Sequence, residues 1–306
     1  MRIGGMDNLR KLAIIGLGLI GSSIARAVRE VLPNILVSGY DTDEAVGARA
    51  AELELAKIVN SPEEAVADAD LVILCVPVGS MAAAAKSIAG KLKPDAIVSD
   101  VGSSKSSVSA DLERILPATR IVPAHPVAGT ENSGPDAGFA ALFHGRWCIL
   151  TPGSAADGEA LLMLRKFWEA LGAKVEVMDP KHHDMVLAVT SHIPHLIAFT
   201  IVGTASDLEQ VAQSEVIKYS AGGFRDFTRI AASSPVMWRD IFLANREAVL
   251  DTLQRFSEDL SLLQRAIRLQ DGETLFNLFS RTSAIRRSIV QQGQDTAAPD
   301  FGRVQG

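Results

Sequence analysis

Aromatic side chains are scarce in this 306-residue chain, at 5%, and cysteine is scarcer still, with two. Cys75 in LVILCVP and Cys148 in WCIL each sit inside an apolar run, which excludes a disulfide scaffold and predicts buried, reduced thiols in the cytoplasm. There is no dense Lys/Arg run and the formal net charge is −6. Nucleic acid and anionic membranes, which bind by surrendering counterions to a basic face, are therefore not expected partners. The N-terminus lacks the charged-then-apolar pattern of a signal segment. The longest apolar stretch, Met185 to Val202, is interrupted by His192, Pro194 and His195, so a buried helix is expected there and no membrane span. Internal repeats are absent. So are H-E-x-x-H and Cys/His ligand spacings, and the adjacent His182 and His183 point to different helix faces; no metal site is expected.

What is present is the profile of an ordinary α/β protein: 47% hydrophobic and 22% charged residues, in a chain long enough for two domains with a core each. From Lys11 onward, strand-length apolar runs (LAIIG, ILVSGY, LVILCVP, AIVSDVG, RIVPAH, CILTP, KVEVM) alternate with helical patterns at residues 19 to 31, 78 to 90 and 106 to 116. That alternation predicts βαβ units on a parallel sheet. After Asp179 the strand pattern stops and helical periodicity runs to about Gln292. The expected architecture is a doubly wound α/β domain over residues 10–179, an all-helical domain over 180–293, and a flexible tail over 294–306, with the first ten residues also unstructured. Apolar helical segments such as AVLDTLQRFSEDLSLLQRAI offer more surface than one small bundle buries, so a homodimer through the helical domain is expected.

One motif gives the first domain a ligand. Gly16-Leu-Gly18-Leu19-Ile20-Gly21 follows the strand LAII and opens a helix. Gly16 suits the tight turn, Gly18 lets the backbone approach a pyrophosphate, and Gly21 permits close helix–strand packing, with the helix N-terminus facing the diphosphate charge. Asp41 ends the second strand, 20 residues past Gly21. An acid there accepts hydrogen bonds from the adenine ribose and repels a 2′-phosphate, so a Rossmann-type domain binding NAD in preference to NADP is predicted. Asp41 could alternatively cap the helix starting near Asp43. Cys75, Val76 and Pro77 end a strand where the chain should pass over the cofactor and offer it backbone contacts.

A dehydrogenase also needs a base for a hydroxyl proton and a clamp for the reacting carbon. His125, in VPAHPVAGTE just past the RIVPA strand, lies at the carboxyl edge where doubly wound sheets bind ligands, and a histidine there can take a proton near neutral pH. Ser103, in DVGSSK after a neighbouring strand, can reach the same crevice, or serve as a helix cap.

Taken in order, GLGLIG, DVGSSK, AHPVAGTE, SHIPH (191–195), GGFRDFTRIA (222–231) and MWRDI (237–241) resemble the prephenate and arogenate dehydrogenases of tyrosine biosynthesis, over most of residues 11 to 245. The resemblance implies a Rossmann domain followed by a helical dimerisation domain, NAD as cofactor, and hydride removal from a cyclohexadienol ring with loss of its carboxylate as carbon dioxide. It puts the proton acceptor on His125. Ser103 would bond the same hydroxyl and help position the nicotinamide. Arg229 would hold the substrate carboxylate, a role its planar fork suits. His195, His192 and Trp238 would line the substrate pocket, with core packing as the other reading of His192 and Trp238. Thr130 and Glu131 fall in the AHPVAGTE loop and are expected near substrate. Asp136, eleven residues past His125, would meet an α-amino group and favour arogenate, with prephenate also open. No appended regulatory or chorismate mutase module is expected, so any tyrosine control would act at the active site.

Two other readings remain. A β-hydroxyacid dehydrogenase shares the glycine motif but needs a Lys with Asn four residues later, and Lys166, Lys174, Lys181 and Lys218 are followed at that offset by Ala170, Met178, Met185 and Gly222. A nicotinamide-sensing regulator would not need His125, Ser103 and Arg229 together.

Overall fold

A computed structural model describes residues 6, 8–117, 119–130, 132–153, 157–212 and 222–291. The first unit of the chain, to Val249, opens with β1 (Lys11–Ile15), α1 (Leu19–Val31), β2 (Leu36–Tyr40), α2 (Glu44–Glu52), β3 (Lys57–Ile58), α3 (Pro62–Val66), β4 (Leu71–Leu74), α4 (Met81–Ile88), β5 (Ile97–Asp100), α5 (Ser106–Ile115) and β6 (Arg120–Ile121). The six strands form one parallel sheet in the order β3-β2-β1-β4-β5-β6. Strand order reverses between β1 and β4, and that switch point is where such sheets bind ligands. Leu12 and Ile14 of β1 pack into one apolar layer with Ile24 and Val28 of α1; Ala13 and Ile15 pack into the other with Val108 and Leu112 of α5. Burial on both faces explains why these strands read as continuous apolar runs.

The RIVPAH segment is not one strand of that sheet. It breaks at Val122-Pro123, and β7 (Ala124–Pro126) instead joins β8 (Trp147–Leu150) and β9 (Lys174–Val177) in a separate three-stranded sheet, β7 antiparallel and β9 parallel to β8. Proline has no N–H to give a ladder, which ends pairing in the first sheet. The consequence is that His125 lies within a strand, opposite Ile149, rather than in a loop beyond one. Between β8 and β9 runs α6 (Gly158–Ala170), whose Phe167 and Trp168 are fully buried. Met6 and Leu9, within the stretch expected to be unstructured, are instead buried in the core.

Helices follow: α7 (Pro180–Leu187), a π-helical turn (Ala188–His192), α8 (Ile193–Ala212), α9 (Gly222–Thr228), and α10 (Pro235–Ala244). The π turn sits just before Pro194, whose missing N–H interrupts the α-helical ladder, and such wide turns recur at functional sites. The expected buried helix at Met185–Val202 is mostly not buried: residues 180–208 are long and apolar enough to cross a membrane by composition, but Met185 and Val189 are more than half exposed. Turned inward with Leu187, Ala188, Ile193 and Ala198 are three polar residues, His183, Asp184 and His192. The change of secondary structure at residue 179 is not a change of packing, since α7 and α10 pack on the sheet domain. The second unit starts at Leu250, inside α11 (Arg246–Arg268), and contains α12 (Gly272–Gln291). The tail over 294–306 lies outside the described residues.

Candidate active site

The glycine turn after β1 has the geometry its spacing predicts. Gly16 has φ +98°, and a Cβ on it would lie 2.4 Å from the Cys75 carbonyl oxygen, so only glycine fits between the ends of β1 and β4. A Cβ on Gly21 would lie 2.0 Å from the Gly16 oxygen. At Gly18 the same Cβ would meet nothing within 4 Å. Two glycines thus close the turn and the third faces open space beside the N-terminus of α1, which carries no side-chain cap and no acid in its first turn. Leu19 and Ile20, half-buried, form that first turn. Outward N–H groups with no carboxylate among them fit a diphosphate. Asp41 accepts the Leu17 N–H at 2.7 Å and the Asp43 N–H at 3.0 Å, buttressing the turn, while Asp43 caps α2. With two protons accepted, the Asp41 carboxylate still has lone pairs for ribose hydroxyls. Val76 and Pro77 follow Cys75 at the same edge, Pro77 exposed.

Ser103 and His125 are brought to one place by a buried ion pair. Lys105, fully buried, extends its ammonium to Asp100 Oδ2 at 2.5 Å and to the Ala124 carbonyl at 2.7 Å. Asp100 also accepts the N–H of Gly102 and of Ala124. The loop carrying Ser103 is therefore stitched to the strand residue preceding His125. Losing either partner would strand a buried charge, at a cost of about 3 to 5 kcal/mol. Ser103 does not cap α5. The N–H groups of Lys105 and Ser106 donate instead to Asp184 of α7, at 2.7 and 2.8 Å.

His125 is 7% exposed, and its Nδ1 lies 2.8 Å from His183 Nε2; His183 Nδ1 lies 2.9 Å from Asp184 Oδ1. Burial, then the charges of His183, Lys105 and His192, hold His125 well below the ordinary histidine pKa, so it is neutral at pH 7. Burial likewise lowers His192 to about 4. Asn245 donates to the Asp184 carbonyl at 2.8 Å and pairs with His192 Nδ1 at 3.1 Å. Since the Asn245 amide nitrogen is a donor, His192 Nδ1 accepts, and its proton sits on Nε2, a buried donor with no hydrogen-bond partner among the described residues.

Around this cluster, Trp238 stacks on His195 at 3.7 Å and meets His192 edge-on at 6.0 Å. His195 donates from Nδ1 to the Ser191 carbonyl at 2.8 Å, leaving Nε2 free to accept. Its pKa is lowered by burial and by the nearby Arg229 charge, which locates Arg229, exposed in the 3-10 turn Arg229–Ala232, beside it. His192, His195, Trp238 and Arg229 are thus brought together. Asp136 is not. The chain after β7 runs to α1 and α2, where Asp136 forms a two-point ion pair with Arg49, Nε and Nη2 at 3.0 and 2.8 Å from Oδ1. A carboxylate clamped by an arginine is not poised to read a substrate amine. Thr130 is exposed and accepts the Asn132 N–H, and Glu131 lies outside the described residues.

Models of the two prephenate dehydrogenase domains match successive parts of this chain: the nucleotide-binding domain at residues 24–177 and the dimerization domain at 179–281. The chain belongs to the prephenate dehydrogenase family. It is 46% identical to the cyclohexadienyl dehydrogenase of Zymomonas mobilis, over 93% of this chain and 97% of that one. Among solved structures, it is similar to Aquifex aeolicus prephenate dehydrogenase in complex with hydroxyphenyl propionate and NAD+, with a TM-score of 0.85, 36% identity, and coverage of 92% and 98% of the two chains. It is also similar to Synechocystis arogenate dehydrogenase, with a TM-score of 0.77, 27% identity, and coverage of 92% and 100%. Within this prephenate dehydrogenase fold, the sequence reading missed Lys105, Asp100, His183, Asp184 and Asn245. The first four carried a signal, charged or titratable residues that the geometry buries, in DVGSSK and HHD; Asn245 carried none.

Proposed function

We propose that this chain catalyses the NAD-dependent oxidative decarboxylation of the cyclohexadienol ring shared by prephenate and arogenate, a step of tyrosine biosynthesis, with His125 as proton acceptor. The observation that carries the assignment is a buried, neutral histidine tied through Ala124 to the Ser103 loop, in a chain that also carries an uncapped glycine cradle. Bound NAD+ supplies the hydride acceptor. Gly16, Gly18 and Gly21 with the first turn of α1 hold its diphosphate, Asp41 its ribose, and Cys75 to Pro77 line the edge it crosses. Ser103 hydrogen-bonds the ring hydroxyl, and His125 removes the hydroxyl proton as the carbinol carbon becomes a carbonyl. Arg229 binds the substrate's carboxylate, and the stacked His195 and Trp238 with the His192 Nε2–H form the wall opposite. Loss of the ring carboxylate as carbon dioxide leaves its electron pair in an aromatic ring, which drives the reaction forward.

With Asp136 held by Arg49, no carboxylate among the described residues is assigned to an α-amino group, and the reading is a cyclohexadienyl dehydrogenase acting on prephenate, arogenate or both. It works as a cytoplasmic homodimer: both cysteines are free, and apolar side chains such as Val189, Ile201 and Leu208 stand exposed on the helices matching the dimerization domain. The test is NADH production by purified protein with prephenate and with arogenate in parallel. Turnover of either supports the reading; turnover of neither overturns it.

A further inference from the structure

The mechanism requires His125 to present an unprotonated nitrogen to the substrate hydroxyl, yet an imidazole has two nitrogens and a neutral ring can leave either one bare. The residues behind His125 decide the matter. Asp184 accepts the Lys105 N–H on Oδ1 and the Ser106 N–H on Oδ2, so both oxygens face the N-terminus of α5, where negative charge is favoured. Burial disfavours that charge, but the bonds from His183 and from these amides outweigh it and hold the carboxyl below its usual range. An ionised carboxylate can only accept. His183 Nδ1, 2.9 Å from Oδ1, must therefore donate, and the neutral His183 ring is left with a lone pair on Nε2. That lone pair faces His125 Nδ1 at 2.8 Å, so His125 Nδ1 carries the proton and His125 Nε2 does not.

We propose that His183 and Asp184 are positioning residues that lock His125 in the tautomer whose Nε2 is the base. The proposal rests on the reading of His125 as proton acceptor and says how that role is enforced. The chain of bonds runs Asp184, His183, His125, and is anchored at its far end to backbone rather than to water. His183 is fully buried and Asp184 4% exposed, so the pair orients His125 and steadies the imidazolium formed in the reaction, but does not pass the proton to bulk solvent. The other charged or titratable groups near His125 are Lys105, paired with Asp100 and bonded to the Ala124 carbonyl, and His192, whose Nδ1 is held by Asn245. None of these bonds to His125, so the tautomer is set through His183 alone among the described residues.

The wild-type protein itself provides the first test. In holoenzyme labelled with ¹⁵N-histidine, with the His125 signals assigned by their loss in His125→Asn, the expected spectrum shows neutral His125 protonated on Nδ1. A ring protonated on Nε2 overturns the proposal without any variant. The second test compares His183→Leu, which removes the acceptor, with His183→Gln, whose amide oxygen can still accept from His125 Nδ1. His183→Leu should lose about 10- to 10⁴-fold in kcat, the span between loss of an outer support for a ligand histidine and loss of the tautomer-setting group of a catalytic triad. Its NADH affinity and substrate KM should stay close to wild type, the His125 signals should move towards the other tautomer, and His183→Gln should recover part of the loss. Wild-type kcat and an unmoved tautomer in a folded His183→Leu overturn the proposal while leaving the base assignment intact. Normal turnover in His125→Asn instead removes the base reading on which it rests.

Discussion

The two halves of the site are built on opposite principles. The glycine turn proposed to hold the cofactor is local and made of backbone: within six consecutive residues, three glycines, Gly16, Gly18 and Gly21, shape it by lacking side chains. The base cluster is non-local and made of side chains, from Asp100, Lys105, His125, His183, Asp184, His192 and Asn245, with bonded partners up to 79 residues apart. The lesson is that space for a cofactor can be encoded in one loop, whereas holding a neutral histidine in one orientation takes buried partners from several elements, each satisfying the next. The cradle should fail through sterics and the cluster through chemistry.

Perturbations that separate the two should show this, beginning with the largest. His125→Asn keeps the approximate shape but cannot accept a proton, and kcat should fall by about 10²- to 10⁴-fold, measured as NADH formation, with NADH binding by fluorescence titration retained. Loss of NADH binding would mean the cluster and cradle are not separable. Arg229→Ala should raise substrate KM by roughly 10- to 100-fold, the worth of a hydrogen bond to a charged group, and leave NAD+ kinetics nearly unchanged. A normal KM would show that the arginine has another task.

Within the cradle, Gly21→Ala forces a Cβ against the Gly16 carbonyl oxygen and should cost about 1 to 3 kcal/mol in denaturant unfolding. Gly18→Ala should change stability by less than about 0.5 kcal/mol and weaken NADH binding, because its methyl enters space that is open in the protein. Equal stability losses in both would contradict the division of labour among the glycines. Smallest per group is the pH dependence of stability. His125, His183 and His192 have folded pKa values lowered first by burial, so the folded chain binds fewer protons than the unfolded one. Their stabilisation is intact above the unfolded value of about 6.5 and is lost as pH falls below it towards the folded values, by roughly 0.5 to 1 kcal/mol per histidine between pH 7 and pH 6. Unfolding free energy that is flat over that interval would mean these rings are not buried neutral.

This contrast also explains what could be read from the sequence. The doubly wound sheet and its glycine turn were legible because strand periodicity and glycine spacing are local. The split of RIVPAH was signalled by Pro123 but not resolved, since pairing partners more than 20 residues away decide which sheet a short strand joins: Ala124 pairs with Leu150 and Pro126 with Cys148. The apolar 185–202 stretch suggested burial because composition shows how much apolar surface exists and not which molecule covers it. Asp136 was misplaced because position in a loop after His125 says nothing of the turn the loop takes; Arg49, 87 residues earlier, captures it. His125 could be nominated from its neighbours in sequence. His183 and Asp184 stood out in HHD as titratable residues, but what they bond to is visible only in the fold.

Whether a buried, neutral His125 takes the proton is decided by kcat/KM as a function of pH for wild type and His125→Asn at saturating NAD+. Burial and the neighbouring His183, Lys105 and His192 charges place the free-enzyme ionisation below the ordinary histidine value of about 6.5. The wild-type profile should therefore be level through pH 7 and fall on an acidic limb below about pH 6.5, and the residual activity of His125→Asn should lack that limb. An acidic limb that persists unchanged in His125→Asn would contradict the account and move the proton to another group, with His195 first in line.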